Sequence, residues 1–445
     1  MIKPKVQFTE EMKKDYTILI PTMLPMHFKM IAQILTRHGY KTELLENCSQ
    51  SVKDYGLKYV HNDTCYPALL VIGQFLDAIQ SGKYDSHKVA LMLTQTGGGC
   101  RASNYIALLR KALEKAGYGY IPVISLNISG LEENPGFKLT LPLVRGMIYA
   151  VLYGDLLMTL RNQCRPYEEE SGASDRLCDK WTKFLADELY DKKVSYGDVK
   201  KNYAAIVREF AGLQLRREKK IKVGIVGEIF VKFSPLGNNH LEDFLVSQGA
   251  EVSMPGLIDF CMYCIYNGIV DTKLYGIGKL KAAGSKVVYR IMQKMQNDLI
   301  GAIRENSRFS APTPIEHTIK LVSGYIGMGA KMGEGWLLPA EMLELIDSGV
   351  KNIVCAQPFG CLPNHIVGKG MMKPIKERHP DVNIVAIDYD PGATKINQEN
   401  RIKLMLSCAA ENAGLISQGE AEGPEKRTVS EQEKKADAAK TPLTV

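Results

Sequence analysis

The sequence predicts an α/β protein of two Rossmann-like open parallel-sheet domains joined by a helical section. Three observations predict it. Up to residue 138, short apolar runs alternate with helical patterns; from 139 to 217 the strand signals vanish; from 218 to 416 the alternation resumes. Strands alternating with helices imply parallel strands joined by crossovers. At 445 residues the chain also exceeds what one compact core holds.

In the first domain (1–138), "YTILIPTM" (16–23), "KYVHND" (58–63), "KVALMLTQ" (88–95) and "YIPVISLN" (120–127) read as strands. Between them, "HFKMIAQILTRHG" and "SNYIALLRKALEKAG" carry apolar residues at helical spacing and end in glycine. In the helical connector (139–217), "LTLPLVRGMIYAVLYGDLLMTLRNQC" and "YGDVKKNYAAIVREFAGLQLRREKK" read as long helices separated by the polar "RPYEEESGASD". The second α/β domain (218–416) opens on "KVGIVGEIFV" and continues through "HLEDFLVSQGAEV", "NIVCAQPFGC" and "VNIVAIDYD". The tail, 417–445, is polar with few large apolar residues and is expected to be disordered.

Composition excludes several classes. With 45% hydrophobic and 24% charged residues the chain reads as soluble and globular, and its net charge of +7 is modest for its size. The basic residues are scattered rather than interleaved with aromatics, which argues against nucleic acid. No apolar leader and no uncharged apolar stretch of about 18 residues is present, so the expectation is a cytoplasmic protein without a membrane. Ten cysteines without an export signal argue against a disulfide framework.

Position distinguishes some of these cysteines. Cys65 lies in "HNDTCYP", Cys100 follows "VALMLTQ" by a glycine turn, Cys355 ends the strand in "IVCAQP", and Cys361 follows it by the turn "FGC". The carboxyl ends of parallel strands line the ligand crevice of an open α/β sheet, so these thiols could converge on one cleft. Cys100 immediately precedes a helical pattern, with Ser103 or Asn104 near the cap, and a helix N-terminus favours a thiolate. Gly97, Gly98 and Gly99 offer unencumbered N–H groups that can form a nest around an anion. Thiolates with donors nearby suit an iron–sulfur cluster. A phosphate-binding loop competes, but G-x-x-x-x-G-K-[S/T] is absent and "GMGAKMGEGW" (327–336) lacks the dinucleotide spacing, which makes it a backbone turn.

Four longer stretches, "NDTCYPALLVIGQF", "TQTGGGCRASNYIALLRKAL", "QPFGCLPNHIVGKGM" and "DYDPGATKINQENRIKLML", resemble the 2-hydroxyacyl-CoA dehydratase superfamily, and more closely its double-cubane cluster protein branch and the related segment of fused activase proteins. The resemblance runs from about residue 48 to 410. It implies an oxygen-sensitive oxidoreductase whose double-cubane [8Fe–9S] cluster sits in the cleft between the domains of a homodimer and reduces small molecules. Electrons would arrive from a separate ATP-hydrolysing activator carrying its own [4Fe–4S] cluster. Carried over by motif, Cys65, Cys100 and Cys361 are the first ligand candidates. Cys164, Cys264 and Cys355 complete six, with Cys261 an alternate for Cys264. Cys48, Cys178 and Cys408 read as structural. For proton donation the candidates are Glu228 and His365, with His61 and His240 also flanking apparent strand ends. Lys369 and Lys373 could attract an acidic partner or substrate. Two alternatives stay open: a dehydratase subunit with one [4Fe–4S] cluster, and a cluster-free binding protein of the same fold.

Overall fold

The computed structural model describes residues 5–61, 63–95, 99–126, 132, 134–191 and 193–415. Gly97, Gly98 and the tail after 415 lie outside the described residues.

The chain forms two four-stranded, fully parallel sheets. The first contains β1 (Thr17–Pro21), β2 (Lys41–Leu45), β3 (Val89–Thr94) and β4 (Val123–Leu126) in the order β2-β1-β3-β4. The second contains β5 (Lys222–Gly227), β6 (Glu251–Ser253), β7 (Asn352–Pro358) and β8 (Asn383–Tyr389) in the order β6-β5-β7-β8. Each half therefore runs outward from its first strand and then reverses, placing a switch point between β1 and β3 and another between β5 and β7. The central strands β3, β5 and β7 are almost wholly buried, as parallel strands covered on both faces must be.

Two elements differ from the sequence reading. The expected strand at 58–63 is absent: residues Gln50–Tyr59 form a helix whose Gly56 packs against Leu69. "KYVHND" carries apolar residues too few to mark a period, and packing against the helix Tyr66–Gln80 decides the matter. The strand β2, "KTELL", was missed because its burial is only partial and its polar residues hide the alternation.

The helical section contains three helices rather than the two read from the sequence: Leu141–Cys164 and Tyr196–Ala211 match that reading, and Ala173–Asp191 lies between them. Thr140 caps the first, accepting the Leu143 N–H, and Ser195 and Asp198 form a capping box on the third. A long hairpin inserted between β6 and β7, Leu257–Tyr275 and Lys279–Asn306, packs onto these helices, so both halves share one helical layer. Asp155 pins this layer together. It meets His27 Nε2 at 2.9 Å and accepts the N–H groups of Leu257 and Ile258 at 2.9 and 2.8 Å. A Cβ at Gly154 would fall 2.3 Å from the His27 ring, which explains the glycine there. Leu141–Cys164 is also the one described helix long and apolar enough to cross a membrane, and 67% of its most apolar window is buried within the protein.

Candidate functional site

Three cysteines from both halves meet between the two sheets. Cys65 is the N-cap of the helix Tyr66–Gln80, and Cys100 is the N-cap of the short 3-10 helix Arg101–Asn104 beyond β3. Cys361 directly precedes the helical stretch that begins at 362, beyond β7. In each case the backbone two or three residues ahead (Ala68, Ala102, Asn364) acts to lower the thiol's pKa, against the larger effect of burial. Helix N-termini thus aim donors and partial positive charge at all three thiols. Of the two residues expected near the cap, Asn104 is the N-cap of the helix Tyr105–Lys115, and Ser103 donates its hydroxyl to the Cys100 carbonyl at 2.7 Å, fixing the turn that carries the sulfur.

Close backbone approaches join the halves here. The Tyr66 N–H donates to the Phe359 carbonyl at 2.9 Å. Gly360 has φ +70°, and a Cβ there would stand 3.2 Å from the Cys65 Cα. Gly333, at φ +60°, turns the loop after residue 327 so closely past Cys100 that a Cβ would lie 3.7 Å from its sulfur and 3.0 Å from Pro363. Gly99 donates its N–H to the Met332 sulfur at 3.0 Å. The glycine-rich stretch 327–336 is a backbone turn, as expected, but one that delivers Met332, Gly333 and Glu334 to the cleft. The Tyr263 hydroxyl holds that turn, donating to the carbonyls of Lys331 and Gly333 at 2.8 and 2.9 Å.

Acids line the second-sheet wall. Glu228, beyond β5 and N-cap of the helix Ile229–Phe233, is buried and accepts the Val231 N–H at 2.9 Å. Glu334 is buried beside it and accepts the Ile229 N–H at 3.0 Å. Burial pushes both carboxyls above the ordinary range, and the charge of Glu334 pushes Glu228 further. The same acids act back on the thiols. Burial first, then Glu334 and Glu228, raise Cys100 to about 11; burial and these acids also raise Cys361. For Cys65, burial raises the thiol while the Tyr105 hydroxyl, 2.9 Å from its sulfur, opposes the shift. A metal cation facing these sulfurs would supply the positive charge that lets them ionise.

The remaining candidates separate. Cys264, on the helix Leu257–Tyr275, has its thiol raised to about 12 by burial and then by the Glu334 charge. Cys355 is buried within β7 beside Asn364 and Gly368. Cys164 ends its helix deep in the helical layer, with Glu168 and Cys178 among its neighbours. Neither is brought to the three converging thiols. His365 accompanies Cys361, its Nδ1 2.8 Å from the Cys361 carbonyl oxygen, within a π-helical turn (Asn364–Lys369). His61 follows a helix rather than a strand and is exposed; His240 precedes the helix Leu241–Ser247 with φ 61°. Lys369 and Lys373 are exposed on the outer face beside β8.

Sequence reasoning missed Tyr105 and Glu334. The first was in view, five residues past Cys100 in "CRASNY"; the second stands between two glycines ahead of a buried tryptophan. Among the described residues, no three of His, Cys, Asp and Glu converge on a single metal ion. The three thiols come from three separate segments, each just ahead of a helical stretch.

The fold and this cleft define a two-sheet parallel α/β protein with a thiol-lined site between its halves. No family model matches the chain, and no curated protein matches it.

Proposed function

We propose that this chain is the cluster-bearing component of an iron–sulfur reductase, with two Rossmann-like halves enclosing the cluster. The observation that carries the reading is the convergence of Cys65, Cys100 and Cys361, each on a helix N-terminus, against the buried acids Glu228 and Glu334. Soft thiolate ligands suit zinc, copper(I) and iron–sulfur clusters, and the resemblance of the flanking motifs selects the last of these. When bound, the cluster supplies low-potential electrons. The residues of the chain do the rest: thiols anchor, Tyr105 donates to Cys65, glycines keep the walls close, and the acids offer protons. The cofactor proposed is the double-cubane [8Fe–9S] cluster. The electron source is an ATP-hydrolysing [4Fe–4S] activator, since the sequence has no P-loop of its own. A small molecule is the substrate, in a cytoplasmic homodimer.

One observation favours a second reading. Cys164 and Cys355 lie away from the three converging thiols, and three or four thiols suffice for one [4Fe–4S] cluster. That would make the chain a 2-hydroxyacyl-CoA dehydratase subunit. Iron and sulfide quantitation after anaerobic purification separates the two: about eight irons per chain for a double cubane, about four for a single one. A colourless protein holding zinc overturns both. With dithionite and ATP alone no turnover is expected, and adding the activator should switch it on.

A further inference from the structure

We propose that a line of buried ionisable side chains, Glu344–Glu341–Lys232–Glu334–Glu228, conducts protons from solvent to the cysteine cleft. The inference rests on the reductase reading, because a reduction takes up a proton for each electron it places on its substrate, and those protons must reach a site walled off by packing.

The geometry comes from two elements lying side by side. Glu334, Glu341 and Glu344 are spaced seven and three residues apart along the helix Leu337–Asp347 and the turn that leads into it, where the Leu337 N–H donates to the Glu334 carbonyl at 2.9 Å. Glu341 and Glu344 share one face of that helix, and Glu334 stands ahead of it in a turn between Gly333 and Gly335, both at positive φ. The helix Ile229–Phe233 bridges the longer gap. Its first N–H meets Glu334 at 3.0 Å, and Lys232 Nζ reaches Glu341 at 2.9 Å. Glu228 caps that same helix at the cleft end.

Four of the five groups are buried: Glu228, Glu334, Lys232 and Glu341 expose 8%, 7%, 4% and 5% of their surface. Glu344, half-buried against Thr313, is the end that meets solvent. A purely structural ion pair would need Lys232 and Glu341 alone. Four carboxyls against one lysine cannot all be charged in such a setting, since each unpaired buried charge costs several kcal/mol. Burial accordingly raises all four carboxyls, Glu344 to about 7. Asp259, on the helix Leu257–Tyr275, is near enough to Glu344 and Glu341 that their charges, after burial, raise its own carboxyl, and Gln296 donates to it at 2.6 Å.

A second observation lies beside this line. Gln357 is fully buried, and neither its amide nitrogen nor its amide oxygen has a hydrogen-bond partner. Strand alternation puts it on the face of β7 that carries Cys355, the face reached by the Glu341 charge. It offers an uncommitted donor and acceptor next to the acids.

In the proposed transfer a proton from water binds the Glu344 carboxylate. It passes by successive bond-making and bond-breaking between carboxyl oxygens and the Lys232 nitrogen to Glu334 and Glu228. Each group returns to its starting state once the proton leaves for the reduced substrate.

The test uses the full chain and infrared spectroscopy. Protonated carboxyls give a carbonyl band that shifts on deuteration, so its shift after mixing with D2O times the proton's passage inward. In Glu344→Gln, a change at the half-buried end that should leave folding intact, the shift of the interior band should slow at least about tenfold, and Glu344→Asp should restore it. With activator present, Glu344→Gln should lower turnover and raise its solvent isotope effect while iron content stays constant. An unchanged deuteration rate in Glu344→Gln overturns the relay, whatever iron the protein holds. Slowed deuteration in a protein without iron supports the route and overturns the reductase reading instead.

Discussion

The two α/β halves share one strand order but have opposite interiors at the cleft. The first presents Cys65 and Cys100 on an apolar platform: the helix behind Cys65 buries nearly every residue from Tyr66 to Ile79. The second presents Cys361 and keeps Glu228, Lys232, Glu334 and Glu341 inside. Identical topology therefore does not impose identical chemistry. What sits at a switch point is decided by the few residues after each strand, and the second half spends stability on charges that the first avoids.

Removing a thiol should break the comparison most completely. Cys100→Ala is expected to lose most of the bound iron after anaerobic purification, because cluster binding and local order are coupled, while Cys178→Ala, inside the helical layer, keeps its full complement. Full iron in both variants would mean that the cleft is not the binding site.

The next effect is confined to the second half. Glu341→Leu leaves Lys232 buried without its partner and should destabilise the chain by about 3–5 kcal/mol in denaturant unfolding. Adding Lys232→Met should recover most of that loss, since an apolar pair of similar volume needs no desolvation. Among the described residues of the first half no lysine is buried, and its buried polar pair, His27 with Asp155, faces the helical layer.

A smaller change tests the contact between the halves. Gly360→Ala forces an L side chain into a left-handed backbone position, at about 1–2 kcal/mol, and sets a methyl against the Cys65 backbone. Amide exchange should quicken at Tyr66, whose N–H bonds Phe359, more than within β1 or β5.

The smallest effect concerns pH. Burial raises Glu344 to about 7, above the unfolded value of about 4.3. The folded chain holds this proton more tightly, so the contribution is fully present below about pH 4.3 and is lost as pH rises toward about 7. The slope should not exceed about 1.4 kcal/mol per pH unit, the value for one proton. Glu344→Gln should flatten that part of the stability profile in unfolding titrations.

Much of the architecture was legible because apolar periodicity reports local burial directly. The strands β1, β3, β4, β5, β7 and β8 and the helices Leu141–Cys164 and Tyr196–Ala211 are written in runs that reveal them, whereas Ala173–Asp191 went unread. The inserted hairpin at 257–306 went unread, since it took a partner layer to give its surface meaning. Cys65 was read as lying just beyond a strand, but no strand is there: it follows the helix Gln50–Tyr59 and caps the helix Tyr66–Gln80, because "KYVHND" is too short to fix its own period.

By itself, then, the sequence determined two parallel-sheet halves, the helical section between them, and three cysteines at turns, of which only Cys100 was read as leading into a helix. Only the tertiary structure decided which thiols meet. Cys65, Cys100 and Cys361 are brought together by Gly333 and Gly360, whose missing side chains let the halves approach, while Cys355 points into the core of β7 and Cys164 into the helical layer. It also decided that Glu334 and Glu341 pair with a helix a hundred residues away. The physical reason is that periodicity encodes how each segment meets its own surroundings, whereas the meeting of two strand ends from separate sheets depends on close packing between halves, which no local pattern records.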